Sequence, residues 1–254
     1  MSYRQFFDFA KILADAAQTV IQPWYFNQSL EVETKSDASP VTIADRAAEK
    51  RMRELIESKY PEHGVIGEEF GNSNAEAEFV WVLDPIDGTK SFASGCPLFG
   101  TLIALLHGGK PVVGAINLPA LNQLCISDGS QTLLNGKPVR VRNTENLQNA
   151  VLLTTDVNAV GKYQSAKNFD QLMQQTRFTR TWGDCYGYVL VASGWSDLMM
   201  DPVMNPWDLL ALVPVIRGAG GVITDWQGND PVSGNSIVAA NPALHPQVID
   251  ILNR

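Results

Sequence analysis

An apolar run, Trp81-Val82-Leu83, stops abruptly at Asp84-Pro85-Ile86-Asp87-Gly88-Thr89. No other stretch constrains the chain as much. Ligand sites in sheets covered by helices favour the ends of strands. Carboxylates at positions 84 and 87, on one turn, can converge on a pair of cations. Gly88 lets backbone approach a ligand closely, and a helix beginning near Thr89 would offer free amides to an anion. Cations beside an anion site are what phosphoryl transfer to water requires. One such aspartate alone reads more plainly as a capping residue in an acidic turn, so the string has to be weighed with other stretches.

Two of these add carboxylates. Gly67-Glu68-Glu69-Phe70 follows the apolar pair Val65-Ile66, so Glu68 stands at the end of a short strand and could join the same site. Trp207-Asp208 opens a helix running through Leu209, Leu212, Val213 and Ile216. An Asp near a helix start is most often a cap or a dipole partner. The glycine-rich run Gly218 to Gly221 follows a helix rather than a strand, and reads as a helix stop with a tight turn. Two look-alikes fail. Aspartate-nucleophile phosphatases of the haloacid-dehalogenase type keep one residue between their aspartates, whereas Pro85 and Ile86 separate these. An EF-hand loop needs an oxygen ligand at its third position, where this chain has Ile86.

The hydrophobic pattern places these stretches in an alternating architecture. Phe6 to Ile21 has helical spacing, and a second helix is expected after Thr42, with Asp45 completing a capping box. Phe79–Leu83, Phe99–Leu106 and Pro111–Ile116 read as strands, and Asn135-Gly136 as a hairpin turn, giving a largely antiparallel middle sheet. Beyond about residue 150, strands are expected at Val151–Thr154, Leu198–Met200, Val222–Thr224 and Ile237–Ala239. Helices are expected over 161–175, 185–193 and 207–217, and a last one capped by Asn241 with Pro242 at its first position.

Composition excludes several classes. The net charge of −8 disfavours a nucleic-acid partner. No run of eighteen apolar residues suggests a membrane span, and the start Met1-Ser2-Tyr3-Arg4-Gln5 lacks a secretory layout. The expectation is therefore a cytoplasmic protein. Cys96, Cys125 and Cys185 have no zinc spacing, and His63, His107 and His245 are isolated, so a Ser-His-Asp or Cys-His hydrolase has no support.

Taken in order, the Thr42–Asp45 helix start, Gly67-Glu68-Glu69, the Asp84 to Thr89 string and Trp207-Asp208 resemble the inositol monophosphatase superfamily over essentially the whole chain. Leu210 stands where that family commonly has a small residue, with Ala211 one place later. Within the superfamily, Pro97 to Leu105, Gly183-Asp184-Cys185-Tyr186-Gly187-Tyr188 and Pro206 to Pro214 are most similar to the histidinol-phosphate phosphatase branch.

The resemblance implies a layered αβαβα sandwich of the fructose-1,6-bisphosphatase/inositol monophosphatase type. It implies one phosphatase domain over 1–254, with halves 1–148 and 149–254, usually a homodimer. It implies Mg2+, two or three ions per site, held by Glu68, Asp84, Asp87 and Asp208 and the carbonyl of Ile86. Asp45 and Thr89 would orient the attacking water, amides at Gly88 and Thr89 would bind phosphate, and Asp184 and Asp201 would contact substrate. Li+ inhibition is a further implication. Lys35 could lie near the metals, although a surface lysine is the plainer account. The expected substrate is a small phosphate monoester, L-histidinol phosphate in histidine biosynthesis. Inositol 1-phosphate is the alternative, and a non-catalytic regulator with the same fold is the alternative of another class.

Overall fold

The computed structural model describes residues 3–27, 31–34 and 40–254. Lys35 lies outside the described residues. The first part of the chain runs α1 (Arg4–Ile21), β1 (Val32–Thr34), β2 (Pro40–Thr42), α2 (Ile43–Lys59), β3 (Gly64–Gly67), β4 (Gly71–Ser73), β5 (Phe79–Asp87) and α3 (Thr89–Ala93). It continues through β6 (Gly100–His107), β7 (Lys110–Leu118), β8 (Gln123–Ser127), β9 (Thr132–Leu134) and β10 (Lys137–Val139). The second part runs β11 (Val151–Leu153), α4 (Val157–Tyr163), α5 (Ala166–Gln175), β12 (Phe178–Arg180), α6 (Asp184–Ala192) and β13 (Leu198–Asp201). It ends with α7 (Pro206–Leu209), α8 (Leu212–Gly218), β14 (Val222–Thr224), β15 (Ile237–Ala240) and α9 (His245–Leu252).

Two sheets carry the architecture. The larger has the order β10-β9-β8-β7-β6-β5-β3-β4, antiparallel except for the β3–β5 pair. The smaller has the order β12-β11-β13-β15-β14, with β11 parallel to both of its neighbours. The strands near the middle of each sheet are mainly apolar on both faces because both faces are covered. In β5, Trp81 and Leu83 point to α1 and α2, where they meet Phe9, Leu13 and Met52. Val80 and Val82 point the other way, to a layer built from α6, α7 and α8. That middle layer also receives Met199, Ile237 and Ala239 from the smaller sheet. The alternate residues Leu198, Met200, Val238 and Ala240 face α5 and α9. The result is the helix–sheet–helix–sheet–helix stack expected from the sequence. Among the described residues, no helix is long and apolar enough to cross a membrane.

Several elements differ from the sequence pattern, each for a local reason. The helix expected over 161–175 is two helices, α4 and α5, because Ser165 turns the chain and accepts the Asn168 amide as a new cap. The helix expected over 207–217 breaks at Leu210-Ala211. Pro214 has no N–H to give the Leu210 carbonyl, so the hydrogen-bond ladder cannot run through. Asn241 does cap, accepting the amides of Ala243 and Leu244 at 2.9 Å each, but it caps a turn. The last helix starts at His245, and Pro246 rather than Pro242 stands at its beginning. Strand β5 runs on past Leu83 to Asp87 through a bulge, where Thr101 Oγ1 donates to the Pro85 carbonyl at 2.8 Å.

The break at Leu210-Ala211 has a packing partner. A Cβ at Gly114 in β7 would lie 2.1 Å from the Ala211 carbonyl oxygen, so strand and helix turn touch backbone to backbone there. Leu210 itself is buried. Gly114→Ala is expected to destabilise the protein by about 1–3 kcal/mol, the usual cost of overpacking, read from the urea midpoint. An unchanged midpoint would contradict this close approach.

Candidate active site

The ends of β3 and β5 and the starts of α2, α3, α6 and α7 converge on one acidic hollow. Asp84 and Asp87 enter it from the bulged end of β5, and Asp208 from the first turn of α7. One ligand atom of each of these three carboxylates lies within 4.8 Å of the others. Asp208 is aimed by its own helix start: its Oδ2 accepts the Asn205 amide at 2.8 Å and the Asn205 Nδ2 at 3.2 Å. Asp87 accepts the amide of Cys185, in the first turn of α6, a bond bridging the two sheets' halves of the chain. Asp84 differs from both. It is buried, and its Oδ1 has no hydrogen-bond partner among the described residues. A buried acceptor without a donor costs about 1–3 kcal/mol, and more when charged. A cation answers that deficit, and oxygen-only donors suit a hard divalent ion.

The electrostatics agree. Desolvation pushes Asp84 well above the usual carboxylate range, followed by the charges of Glu68, Asp87 and Asp208. Desolvation also raises Asp87, with Asp184 and Asp208 adding to it. Asp208 is pushed up to about 6, chiefly by desolvation, while the Asn205 amide opposes the rise. Glu68 sits on the turn after β3, its amide donating to the Leu83 carbonyl at 3.2 Å, and its charge acts on both Asp84 and Asp208.

Asp45 and Thr89 lie beside this cluster. Asp45 is buried in the first turn of α2, and its Oδ2 accepts the Thr42 amide at 2.8 Å and the Thr42 hydroxyl. Desolvation pushes it to about 6 against those bonds. Thr89 Oγ1 is 3.5 Å from Asp45 Oδ1 and 3.0 Å from the Ile86 carbonyl oxygen. Gly88 caps α3 with φ +82°, and a Cβ there would lie 2.9 Å from Asp184 Oδ2. Both the backbone sign and the close approach require glycine.

A cavity of about 310 Å³ opens from the cluster and is lined by Asp87, Asp184, Asp201 and Asp208, with Lys90 and Lys162 among the further residues. Asp184 has φ +49° and, as the first residue of α6 after the N-cap Gly183, makes no capping bond; the Cys185 amide beside it is taken by Asp87. Its carboxylate accepts Ser91 Oγ at 3.0 Å and is pushed to about 6, first by desolvation and then by the Asp201 charge. Asp201 is buried with a bond on each oxygen, from the Thr155 amide at 3.0 Å and the Tyr188 hydroxyl at 2.8 Å. Tyr188 closes the Gly183–Tyr188 stretch named above but carried no role of its own in the sequence, and nothing local marks Thr155. Asn205 was legible as the first member of a capping box ending at Asp208.

With this geometry described, comparison with known proteins places the chain. The profile of the inositol monophosphatase family matches residues 2–254, and the chain belongs to that family. It is 42% identical over 253 residues to the bifunctional phosphatase IMPL2, chloroplastic, of Arabidopsis thaliana, covering 94% of this chain and 72% of that one. It is 38% identical to a histidinol-phosphatase of Chlorobaculum parvum, covering 93% of this chain and 92% of the relative. The fold superposes on an inositol monophosphatase from Zymomonas mobilis with a TM-score of 0.90 at 36% identity, over 100% of both chains. The chain is a phosphoric monoester hydrolase of this superfamily.

The crowding of carboxylates has a consequence for the metal-free protein. The folded pKa of Asp45, Asp184 and Asp208 is about 6, against an ordinary 3.8. Between those values the folded form holds protons that the unfolded chain has released, so stability falls as pH rises through the window. Above it the loss is complete. The melting temperature of chelator-treated protein is therefore expected to drop from about pH 4 to about pH 7, and saturating Mg2+ to flatten that drop. At pH 7.5, Asp87→Asn should raise the metal-free melting temperature by about 2–4 °C, as about 1 kcal/mol does in a protein of this size. A lower melting temperature in that variant would contradict the repulsion.

Proposed function

We propose that this enzyme hydrolyses L-histidinol phosphate to L-histidinol and phosphate, using Mg2+ and direct attack by water, within histidine biosynthesis. The observation that carries the metal dependence is the buried Asp84, whose Oδ1 has no hydrogen-bond partner among the described residues, grouped with Asp87 and Asp208 within 4.8 Å. Glu68, Asp84, Asp87 and Asp208, with the Ile86 carbonyl, would hold two or three ions. When bound, the ions supply charge neutralisation at the phosphoryl and leaving oxygens and make water more acidic.

The chain's own residues supply positioning. Asp45, at about 6, is mostly ionised at neutral pH and acts as the acceptor. The Thr89 hydroxyl has one proton to give; turned to Asp45 Oδ1, it presents lone pairs that receive a hydrogen from water and aim the water oxygen at phosphorus. The first amides of α3, at Gly88 and Thr89, have no partner within their helix and are offered to phosphate oxygens. Because the nucleophile is water, no covalent phosphoenzyme forms. Residues 1–254 work as one unit in this reading, since Asp45, Glu68, Asp84 and Asp87 come from one half and Asp184, Asp201 and Asp208 from the other. A cytoplasmic homodimer is part of the same reading. Trp182 and Trp195, exposed beside an apolar hollow of about 630 Å³, support an association surface. Inhibition by Li+ at one metal position also follows from it.

The substrate reading is supported by carboxylates in the cavity beyond those given to metal. Histidinol phosphate carries an ammonium, and a charge-assisted hydrogen bond is stronger than a neutral one. Asp184 makes the first contact. Asp201, fixed by Thr155 and Tyr188, keeps further lone pairs and adds negative potential. The similarity to an inositol monophosphatase keeps inositol 1-phosphate as the second reading. The test is kcat/KM for both compounds at one Mg2+ concentration. A preference of about tenfold or more for L-histidinol phosphate is expected, with Asp184→Asn narrowing the gap. A preference for inositol 1-phosphate would overturn the substrate while leaving the hydrolase standing.

A further inference from the structure

Helix α2 contributes more to the site than Asp45. Two further residues follow it at helical spacing on the same face, Glu49 and Arg53. Glu49 is fully buried in a stretch where Ala48 and Met52 serve the core. An apolar residue would fill such a place at less cost, because a buried carboxylate must be compensated by donors. Here the donors are specific. Glu49 Oε2 accepts the Glu69 amide at 2.7 Å, and Oε1 accepts the Phe70 amide at 3.2 Å and Arg53 Nε at 2.8 Å. Arg53 in turn donates to the Gly71 carbonyl and, at 3.3 Å, to Ser73 Oγ.

These bonds close around Glu68. On its N-terminal side, the Glu68 amide is fixed to the carbonyl of Leu83, the residue before Asp84. On its C-terminal side, the amides of Glu69 and Phe70 are fixed to Glu49. The turn that carries Glu68 is therefore tied to β5 at one end and to α2 at the other. Only an acceptor with no proton of its own satisfies all three donors at once. Gly67 makes room for this clamp: a Cβ there would lie 2.1 Å from Glu49 Oε1 and 2.6 Å from Arg53 Nη2.

We propose that Glu49 is the positioning residue of the metal site: it holds the Glu68 turn so that the Glu68 carboxylate meets Asp84. It touches neither cation nor substrate. The proposal rests on Glu68 being a ligand, as given under the proposed function. In Glu49→Gln the side-chain amide sets its own N–H against one of the donors, and the turn loses its anchor.

The readout is Mg2+ binding by calorimetry on the full chain without substrate, beside the melting temperature in chelator. Removing a partner that orients a metal ligand costs about 10–100-fold in metal affinity, and that loss is expected for Glu49→Gln. Met52→Ala, a buried change on the same helix at a residue that makes none of the clamp's hydrogen bonds, is the control for simple destabilisation. It should lower the melting temperature and leave Mg2+ affinity within about twofold, because no ligand is released. Gly67→Ala reaches the clamp by another route, displacing the Glu49 carboxylate, and should weaken Mg2+ as Glu49→Gln does. It decides the matter if Glu49→Gln fails to fold. Wild-type Mg2+ affinity in Glu49→Gln or in Gly67→Ala overturns the proposal, as does an equal loss in Met52→Ala. A wild-type protein that binds no Mg2+ overturns the metal reading itself, and the proposal with it.

Discussion

Like charges gathered where water is scarce are the constraint around which this molecule is arranged. Asp84, Asp87 and Asp208 approach within 4.8 Å, Glu68 and Asp184 act on the same cluster, and Glu68 acts on Asp45 as well. Isolated buried carboxylates would simply stay protonated. Three of these, and the neighbouring Asp201, are held by a backbone N–H: Asp45 by Thr42, Asp87 by Cys185, Asp208 by Asn205 and Asp201 by Thr155. Several of these donors belong to helix starts, where amides lack partners and the helix dipole favours negative charge. The acids are thereby aimed without being neutralised. Asp84 is on a strand and receives no such bond at Oδ1 from any described residue, so its burial is left without a donor there.

The five-layer stack serves this arrangement. Strand β5 is rigid because Trp81 and Leu83 pack on the outer helices while Val80 and Val82 pack on the middle layer. Its bulge, pinned by Thr101, then turns Asp84 and Asp87 into the hollow. The middle layer brings α6 and α7 from the second half of the chain, and with them Asp184 and Asp208. Neither half holds a complete set of acids. Close backbone contacts, such as Gly114 against Ala211, fix the two halves in register.

What was legible in the sequence was local. The Thr42–Asp45 box lies within four residues, and the structure contains it. Asn135-Gly136 supplies two positive φ angles, 47° and 77°, as a tight hairpin turn demands. The Asp84 to Thr89 string, with its apolar lead-in, pointed to a strand end beside a helix start. What was not legible depended on partners distant in sequence. No local pattern at Asp184 tells that the next amide, that of Cys185, is taken by the distant Asp87. Asp201 depends on Thr155 and Tyr188, which no spacing rule connects. Phe178–Arg180 is a three-residue edge strand, too short to show alternation. Nothing in the sequence around Glu49 marks it, and only the folded turn of Glu69 and Phe70 gives it a task.

Acids assembled to hold divalent cations must bind one when it is supplied. Anomalous diffraction from crystals grown with Mn2+, which accepts the same oxygen donors as Mg2+, tests this most directly. A peak lying between Asp84, Asp87 and Asp208, about 2.0–2.6 Å from their carboxylate oxygens, is the predicted result. Crystals that bind Mn2+ only elsewhere, or not at all, with this cluster closed on itself by shared protons, would contradict it.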